Sequence, residues 1–181
     1  MAVEVTTFQQ KLAEGRIGES LIARYLRSKG WAVLPVYEKE IDNGKGPCLF
    51  LPYGLPENEL IAPDLLLMRE KQVRWVEAKS KTTATWSLRK KCYQTGIDLR
   101  LYKDYQKVQS TTKWPVWLVF LQKSTLASNA PEDAPPCPTG LYGCPITQPI
   151  ANDSYGRFPH IVYWNIKDLK KLATLADVLA A

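Results

Sequence analysis

Histidine is nearly missing from this chain, with His160 alone among 181 residues. Cysteine is sparse too, and Cys48, Cys92, Cys137 and Cys144 form no CxxC pair. No zinc site can be assembled from these residues at a recognised spacing, and the cysteine spacing matches no iron–sulfur pattern, so the four are read as free thiols. His160 has no acidic or nucleophilic neighbour in sequence and is read as structural or exposed, not as a general base. No apolar run approaches the roughly 20 residues of a membrane span. The segment "MAVEVTTFQQKLAEG" lacks the apolar centre of a secretory signal. A cytoplasmic protein with no membrane partner is therefore expected. Internal repeats are absent, and 181 residues suit one hydrophobic core. Negative charge is also in deficit. Lys and Arg total 24 against 18 Asp and Glu, a net +6 that favours a polyanionic partner.

Periodicity then sets out the elements. Thr6 or Thr7 can cap a helix running to about Lys29, with Phe8, Leu12, Ile17, Leu21, Ile22, Tyr25 and Leu26 as its apolar stripe and Gly30 as its stop. "WAVLPVY" (31–37) reads as a strand, and the excursion that follows has room for a short hairpin. Two strands at about 64–69 and 72–78 are joined by "REKQ", the length of a hairpin turn. The stretch 82–95 has poor periodicity. Helical spacing returns from Ile97 through Leu101, Tyr105 and Val108, and "PVWLVFLQ" (115–122) reads as a buried strand. "HIVYWN" predicts a last strand and "IKDLKKLATLADVLA" a closing helix. Helices at both ends and in the middle can cover both faces of a mixed sheet, so the expected class is α/β. One domain over 1–181 is expected, with surface insertions at about 38–60 and at the Pro-rich 124–159.

The chemistry centres on "APDLLLMREKQVRWVEAKSK" (62–81). Glu77 and Lys79 alternate on one face of a strand, which by itself describes any polar edge. A second acid-x-Lys triplet, Asp168-Leu169-Lys170, falls in the expected closing helix and shows how little the triplet says alone. The setting says more. In an antiparallel hairpin the start of the first strand lies beside the end of the second, so Asp64 can meet Glu77 and Lys79. Two close carboxylates repel unless a cation neutralises them, and oxygen ligands of this kind suit Mg²⁺ or Mn²⁺. A lysine beside them can orient water and balance charge on a phosphate.

Pro63-Asp64, followed on the next strand by Glu77-Ala78-Lys79, resembles the signature of the PD-(D/E)xK nuclease superfamily, in its Holliday junction resolvase-like and phage-type branch. The stretch "GRIGESLIARYLRSKGWAVL" is similar to that family's first helix and strand, and the resemblance spans roughly residues 12–122. It implies a restriction-endonuclease-like core, a mixed central β-sheet flanked by helices on both faces, and a divalent-metal-dependent DNA endonuclease. By this resemblance Asp64, Glu77 and the backbone carbonyl of Ala78 hold Mg²⁺ or Mn²⁺, Glu19 joins directly or through water, and Lys79 positions the water. Glu14, on the same helix, stays open as the alternative to Glu19. Gly15 and Gly18 each cost about 1 kcal/mol relative to alanine inside a helix. Approach to DNA or a tight helix crossing against the sheet would explain them.

Positive charge concentrates after the triplet. Lys81, Arg89, Lys90, Lys91, Arg100 and Lys103 are the expected nucleic-acid contacts, with Trp86, Tyr93, Tyr102 and Tyr105 interleaved as stacking candidates or core residues. Tyr105 shares the apolar stripe of its helix and is assigned to the core. Gln94 and Gln109 are read as ordinary exposed glutamines. DNA is the expected partner, and a homodimer would suit an enzyme that cuts two strands. The rival readings are a nucleic-acid-binding module of this fold without turnover and a protein-interaction domain.

Overall fold

The computed structural model describes residues 8–36, 47–51, 59–151 and 160–181, with side chains from residue 15 onward in the first helix. In chain order the elements are α1 (Phe8–Ser28), β1 (Ala32–Pro35), β2 (Cys48–Phe50), β3 (Glu59–Ile61), β4 (Leu65–Arg69), β5 (Gln72–Lys81), β6 (Ala84–Ser87) and β7 (Cys92–Asp98). They continue with α2 (Leu99–Thr112), β8 (Val116–Gln122), β9 (Ala127–Ser128), β10 (Gly140–Pro145), β11 (Ile161–Asn165), β12 (Lys170–Ala173) and α3 (Leu175–Ala180).

A mixed six-stranded sheet of order β1-β4-β5-β8-β10-β12 forms the centre, with β5 and β8 parallel and the other neighbours antiparallel. Strand alternation sorts its side chains into two layers. Val76, Ala78, Val119 and Leu121 point to the layer that holds Ile22, Tyr25 and Leu26 of α1, while Trp75, Leu118 and Phe120 point to the layer that holds Tyr105 and Val108 of α2. The expected α/β class, a mixed central sheet with helices on both faces, is what the chain adopts. A second sheet, β11-β7-β6-β9, shares the α2-side core through Trp86, Tyr93, Ile97 and Trp164.

Local signals held where the contacts are local. The helix stops at Gly30, whose φ of +84° needs no side chain, and β4 and β5 form the expected hairpin through Glu70 at φ +53°. The short hairpin after β1 is present as β2 and β3. Of the expected α1 stripe, Ile22, Tyr25 and Leu26 are buried but Ile17 is exposed. The Thr6 or Thr7 cap and Tyr37 lie outside the described residues, as does the side chain of Glu14.

Four expectations fail. Residues 84–98 hold two strands and the turn between them, and Ile97 lies in β7 instead of starting a helix, so α2 opens two residues later. The segment 124–159, expected as a surface insertion, supplies β10, an interior strand of the central sheet with Leu141 and Cys144 buried; the glycines and proline of "GLYGCP" hide it from a propensity reading. The closing helix is a 3-10 turn at Ile166–Asp168, then β12, then a short α3 capped by Thr174. Asp168-Leu169-Lys170 therefore lies at that turn, where Asp168 accepts a 2.8 Å hydrogen bond from Asn165.

Gly18 owes its place to the helix crossing. A Cβ there would meet the Cβ of Ser80 at 2.2 Å, whereas one on Gly15 would meet nothing within 4 Å. Opposite signs are thus expected in urea unfolding. Gly18→Ala forces α1 off β5 and costs about 1–3 kcal/mol, while Gly15→Ala adds about 0.5–1 kcal/mol. Equal effects at the two positions would show that the crossing does not demand glycine.

Candidate active site

Register places the carboxylates. Leu65 pairs with Val76, so one step back Asp64 stands opposite Glu77, just before β4 begins and where β5 runs on. Asp64, Glu77 and Lys79 share the α2 side of the sheet by alternation. The backbone of Asp64 is tied to β1 by a 2.8 Å hydrogen bond from the Val36 amide to its carbonyl, and its Oδ2 accepts a 2.9 Å hydrogen bond from the Ala78 amide. A strand residue directs its N–H and C=O to the same side, so the Ala78 carbonyl also faces the gap beyond the end of β4.

Glu77 is 1% exposed. Lys79 pairs with its Oε1 and the Tyr105 hydroxyl of α2 faces it, yet among the described residues neither carboxylate oxygen has a protein hydrogen bond of full geometry. Burial, then Glu77, raises the Tyr105 hydroxyl far above its ordinary range. Asp64 is pushed up to about 8 by burial first and by Glu77 second, against the opposing pull of Lys79. Burial disfavours the charge of Lys79, but Glu77 and Asp64 together outweigh it and hold the ammonium above its ordinary value. Glu19 is raised by burial, with Lys79 opposing and Glu77 adding.

Glu19 reaches this group from the other layer. It lines a cleft of about 710 Å³ between α1 and the β1–β4 edge, where Asp64 forms the far wall. Asp64 also lines a second cleft, about 400 Å³, with Glu77, Lys79, Arg100 and Tyr105. Asp64 is thus the hinge between Glu19 and the Glu77–Lys79 pair. Among the described residues no three Asp, Glu, Cys or His side chains are gathered tightly enough to hold a metal ion between them. The donor set that fits a hard cation is Asp64, Glu77 and the Ala78 carbonyl. Its mark is a buried Glu77 with unsatisfied oxygens beside a half-buried Asp64 driven toward protonation, a strain that a divalent cation would relieve.

The expected basic contacts divide. Lys81 and Arg100 lie at the clefts around Lys79, and Lys103 follows in the first turns of α2 beside His160. Arg89, Lys90 and Lys91 sit in the β6–β7 turn, at the far end of β7 and about 20 Å along the strand from Asp98. There the Lys90 ammonium donates to the Ala151 carbonyl. Trp86 and Tyr93 are buried against each other, ring centroids 4.7 Å apart, so they are core and not stacking platforms.

Three features escape a sequence reading. Arg16, Arg24 and Arg27 line the α1 cleft, and their 8- and 11-residue spacing from Arg16 puts them on one helical face. Tyr105 carries a core stripe and a polar tip at once. Gln94 is buried rather than exposed, while Gln109 accepts a hydrogen bond from the Val116 amide. The cysteines are free thiols, as expected, and His160 is exposed, its carbonyl accepting from Leu99 at the start of α2. Among the described residues no helix is long and apolar enough to cross a membrane.

No protein-family model matches the chain, and no curated protein does. Among solved structures it is similar to Hjc, a Holliday junction resolvase from the archaeal hyperthermophile Archaeoglobus fulgidus, with 10% sequence identity and a TM-score of 0.48 over 92% of this chain and 100% of the other.

Proposed function

We propose that this chain is a divalent-metal-dependent DNA endonuclease of PD-(D/E)xK type that hydrolyses phosphodiester bonds, with branched or junction DNA as its preferred substrate class. The observation that carries the reading is the meeting of Asp64, Glu77 and Lys79 at one end of the β4–β5 hairpin, with the Ala78 amide on Asp64. Asp64, Glu77 and the Ala78 carbonyl would hold Mg²⁺ or Mn²⁺, with Glu19 completing the shell through water. When bound, such a cation supplies Lewis acidity toward the phosphate and acidifies water.

The chain's own residues do the rest. Tyr105 and the walls of β5 and β8 keep the Glu77 carboxylate buried and oriented. Lys79, 31% exposed in its side chain, keeps its positive charge at the mouth of the site, where it can orient water and offset charge on the phosphate. Arg16, Arg24 and Arg27 on the α1 side, with Arg100 and Lys103 on the α2 side, offer phosphate contacts on both flanks. The whole described chain would act as one unit.

Cleavage of linear, nicked, branched and single-stranded DNA with Mg²⁺ or Mn²⁺, each against an EDTA control, tests the reading. One observation favours the rival, a binding module without turnover: Lys79 already pairs with Glu77, and among the described residues no three-ligand cluster is gathered. Tight, salt-sensitive DNA binding with no metal uptake in a calorimetric titration would select that rival.

A further inference from the structure

We propose that the cleft between α1 and the β1–β4 edge is a groove for an unpaired strand, the single-stranded continuation of the DNA whose phosphodiester lies at Asp64 and Glu77. This rests on the nuclease reading and narrows its substrate from branched DNA in general to branched DNA with an unpaired tail.

Continuity argues first. Asp64 lines both this cleft and the cleft of Glu77, Lys79 and Tyr105, so a strand with a phosphate at the carboxylates can continue past Asp64 into the groove. α1 and β4 run the same way, from Glu19 near Asp64 to the end where Arg69 donates a 3.4 Å hydrogen bond to the Lys29 carbonyl. The groove therefore leads away from the site.

Its two walls differ in chemistry. Arg16, Arg24 and Arg27 stand on the α1 wall, and all three are exposed. Arg16 acts on the charge of Glu19, but Arg24 and Arg27 have no ion-pair partner among the described residues. From Arg16 to Arg27 the helix rises about 16 Å, long enough for more than one phosphate contact. Past Arg27 the positive charge continues in Lys29 and Arg69, the latter laid over the Trp31 ring at 4.4 Å. The facing wall is apolar. Pairing of Val33 with Leu67 and of Pro35 with Leu65 puts these side chains on the α1 side of the sheet, where Val33, Pro35 and Leu65 line the groove. A cationic wall tracks a backbone and an apolar wall takes sugars and base faces, the two needs of a bound single strand. A paired duplex turns its base faces inward and would leave the apolar wall unused. Size agrees: at about 710 Å³ the groove lies within the ~300–1,000 Å³ of pockets that enclose small ligands, the scale of a few nucleotides and not of a duplex.

Binding is measured in EDTA over a range of salt with two DNAs, a blunt duplex and the same duplex carrying two unpaired thymidine tails at one end as a fork. The parent chain is expected to bind the fork roughly tenfold more tightly. In the double variant Arg24→Gln, Arg27→Gln that ratio is expected to fall at least about threefold, and the slope of log affinity against log salt for the fork to shrink by about 1.4, two single-strand contacts at ~0.7 each. Arg24→Lys, Arg27→Lys is expected to restore the slope. Lys170→Gln, Lys171→Gln removes the same amount of charge from β12, outside both clefts, and is expected to keep the ratio. All four positions are exposed, so melting temperatures hold and a folding defect cannot account for the loss. No preference for the fork in the parent chain, an equal loss on blunt duplex and fork in the arginine variant, or the same fall in the lysine variant would overturn the proposal. Because cleavage is not read, a fork preference in a chain that never cuts DNA would leave the groove standing and remove the nuclease; cleavage without any such preference would do the reverse.

Discussion

An Asp64→Asn chain is expected to cut DNA at least about a thousandfold more slowly than its parent in Mg²⁺ or Mn²⁺, and to bind DNA in EDTA with unchanged affinity. Asparagine keeps an oxygen for the Ala78 amide, so the hairpin end retains its hydrogen bond and the fold has no reason to change. What disappears is the negative charge beside Glu77. Metal affinity falls with it, which calorimetry reads independently of turnover. Lys79→Ala is expected to act differently: metal still binds, but the ion pair on Glu77 is gone and a buried carboxylate is left without its compensating charge. Its cleavage also drops, and its stability falls where that of Asp64→Asn does not. If Asp64→Asn and Lys79→Ala both keep full cleavage, the site is not where DNA is cut.

A loss of stability with rising pH is the second large effect, and it needs no substrate. The carboxyl of Asp64 titrates near 3.8 when solvated and at about 8 in the fold. Between those values the folded chain holds a proton that the unfolded chain has released, so stability is full below about pH 4 and drains away as the pH rises toward 8. Glu19, also raised, adds in the same direction. Lys79 has the opposite chemistry: its raised affinity for a proton stabilises the fold throughout this window and is lost only in stronger alkali. The summed effect is on the order of a few kcal/mol. Melting temperatures in EDTA should therefore fall from about pH 5 to about pH 8, flatten in Asp64→Asn, and recover with Mg²⁺, most strongly at the alkaline end, because a cation binds the deprotonated pair. A flat or rising profile in EDTA would mean that Asp64 is solvated and ionised, and that the carboxylates do not need a cation.

The stability cost of this corner and the catalytic use proposed for it have one origin. Asp64 and Glu77 are forced together because the β4–β5 register leaves them opposite each other on the face that α2 covers. Tyr105 and the neighbouring strands then keep water away from Glu77. A chain built for stability alone would place an apolar pair there.

The sequence by itself determined the parts whose contacts are near in the chain. The end of α1 follows from Gly30, and the β4–β5 hairpin from alternation on either side of a short turn. The meeting of Asp64 with Glu77 and Lys79 follows from that hairpin, because antiparallel strands joined by a tight turn have only one register that keeps Leu65, Leu67 and Val76 buried. Tertiary structure decided everything that rests on distant pairing. The Pro- and Gly-rich 124–159 segment supplies a central strand because β8 and β12 flank it, and no local periodicity announces such neighbours. Glu19 comes to the site from the opposite layer, around the start of β4, where Lys79 and Glu77 act on its charge. Tyr105 and Gln94 read as core and surface, respectively, and each turned out to present a polar group at a cleft. Burial and side-chain neighbours belong to the packed molecule, where residues far apart along the chain share one face, and the chemistry of a site is set by those neighbours.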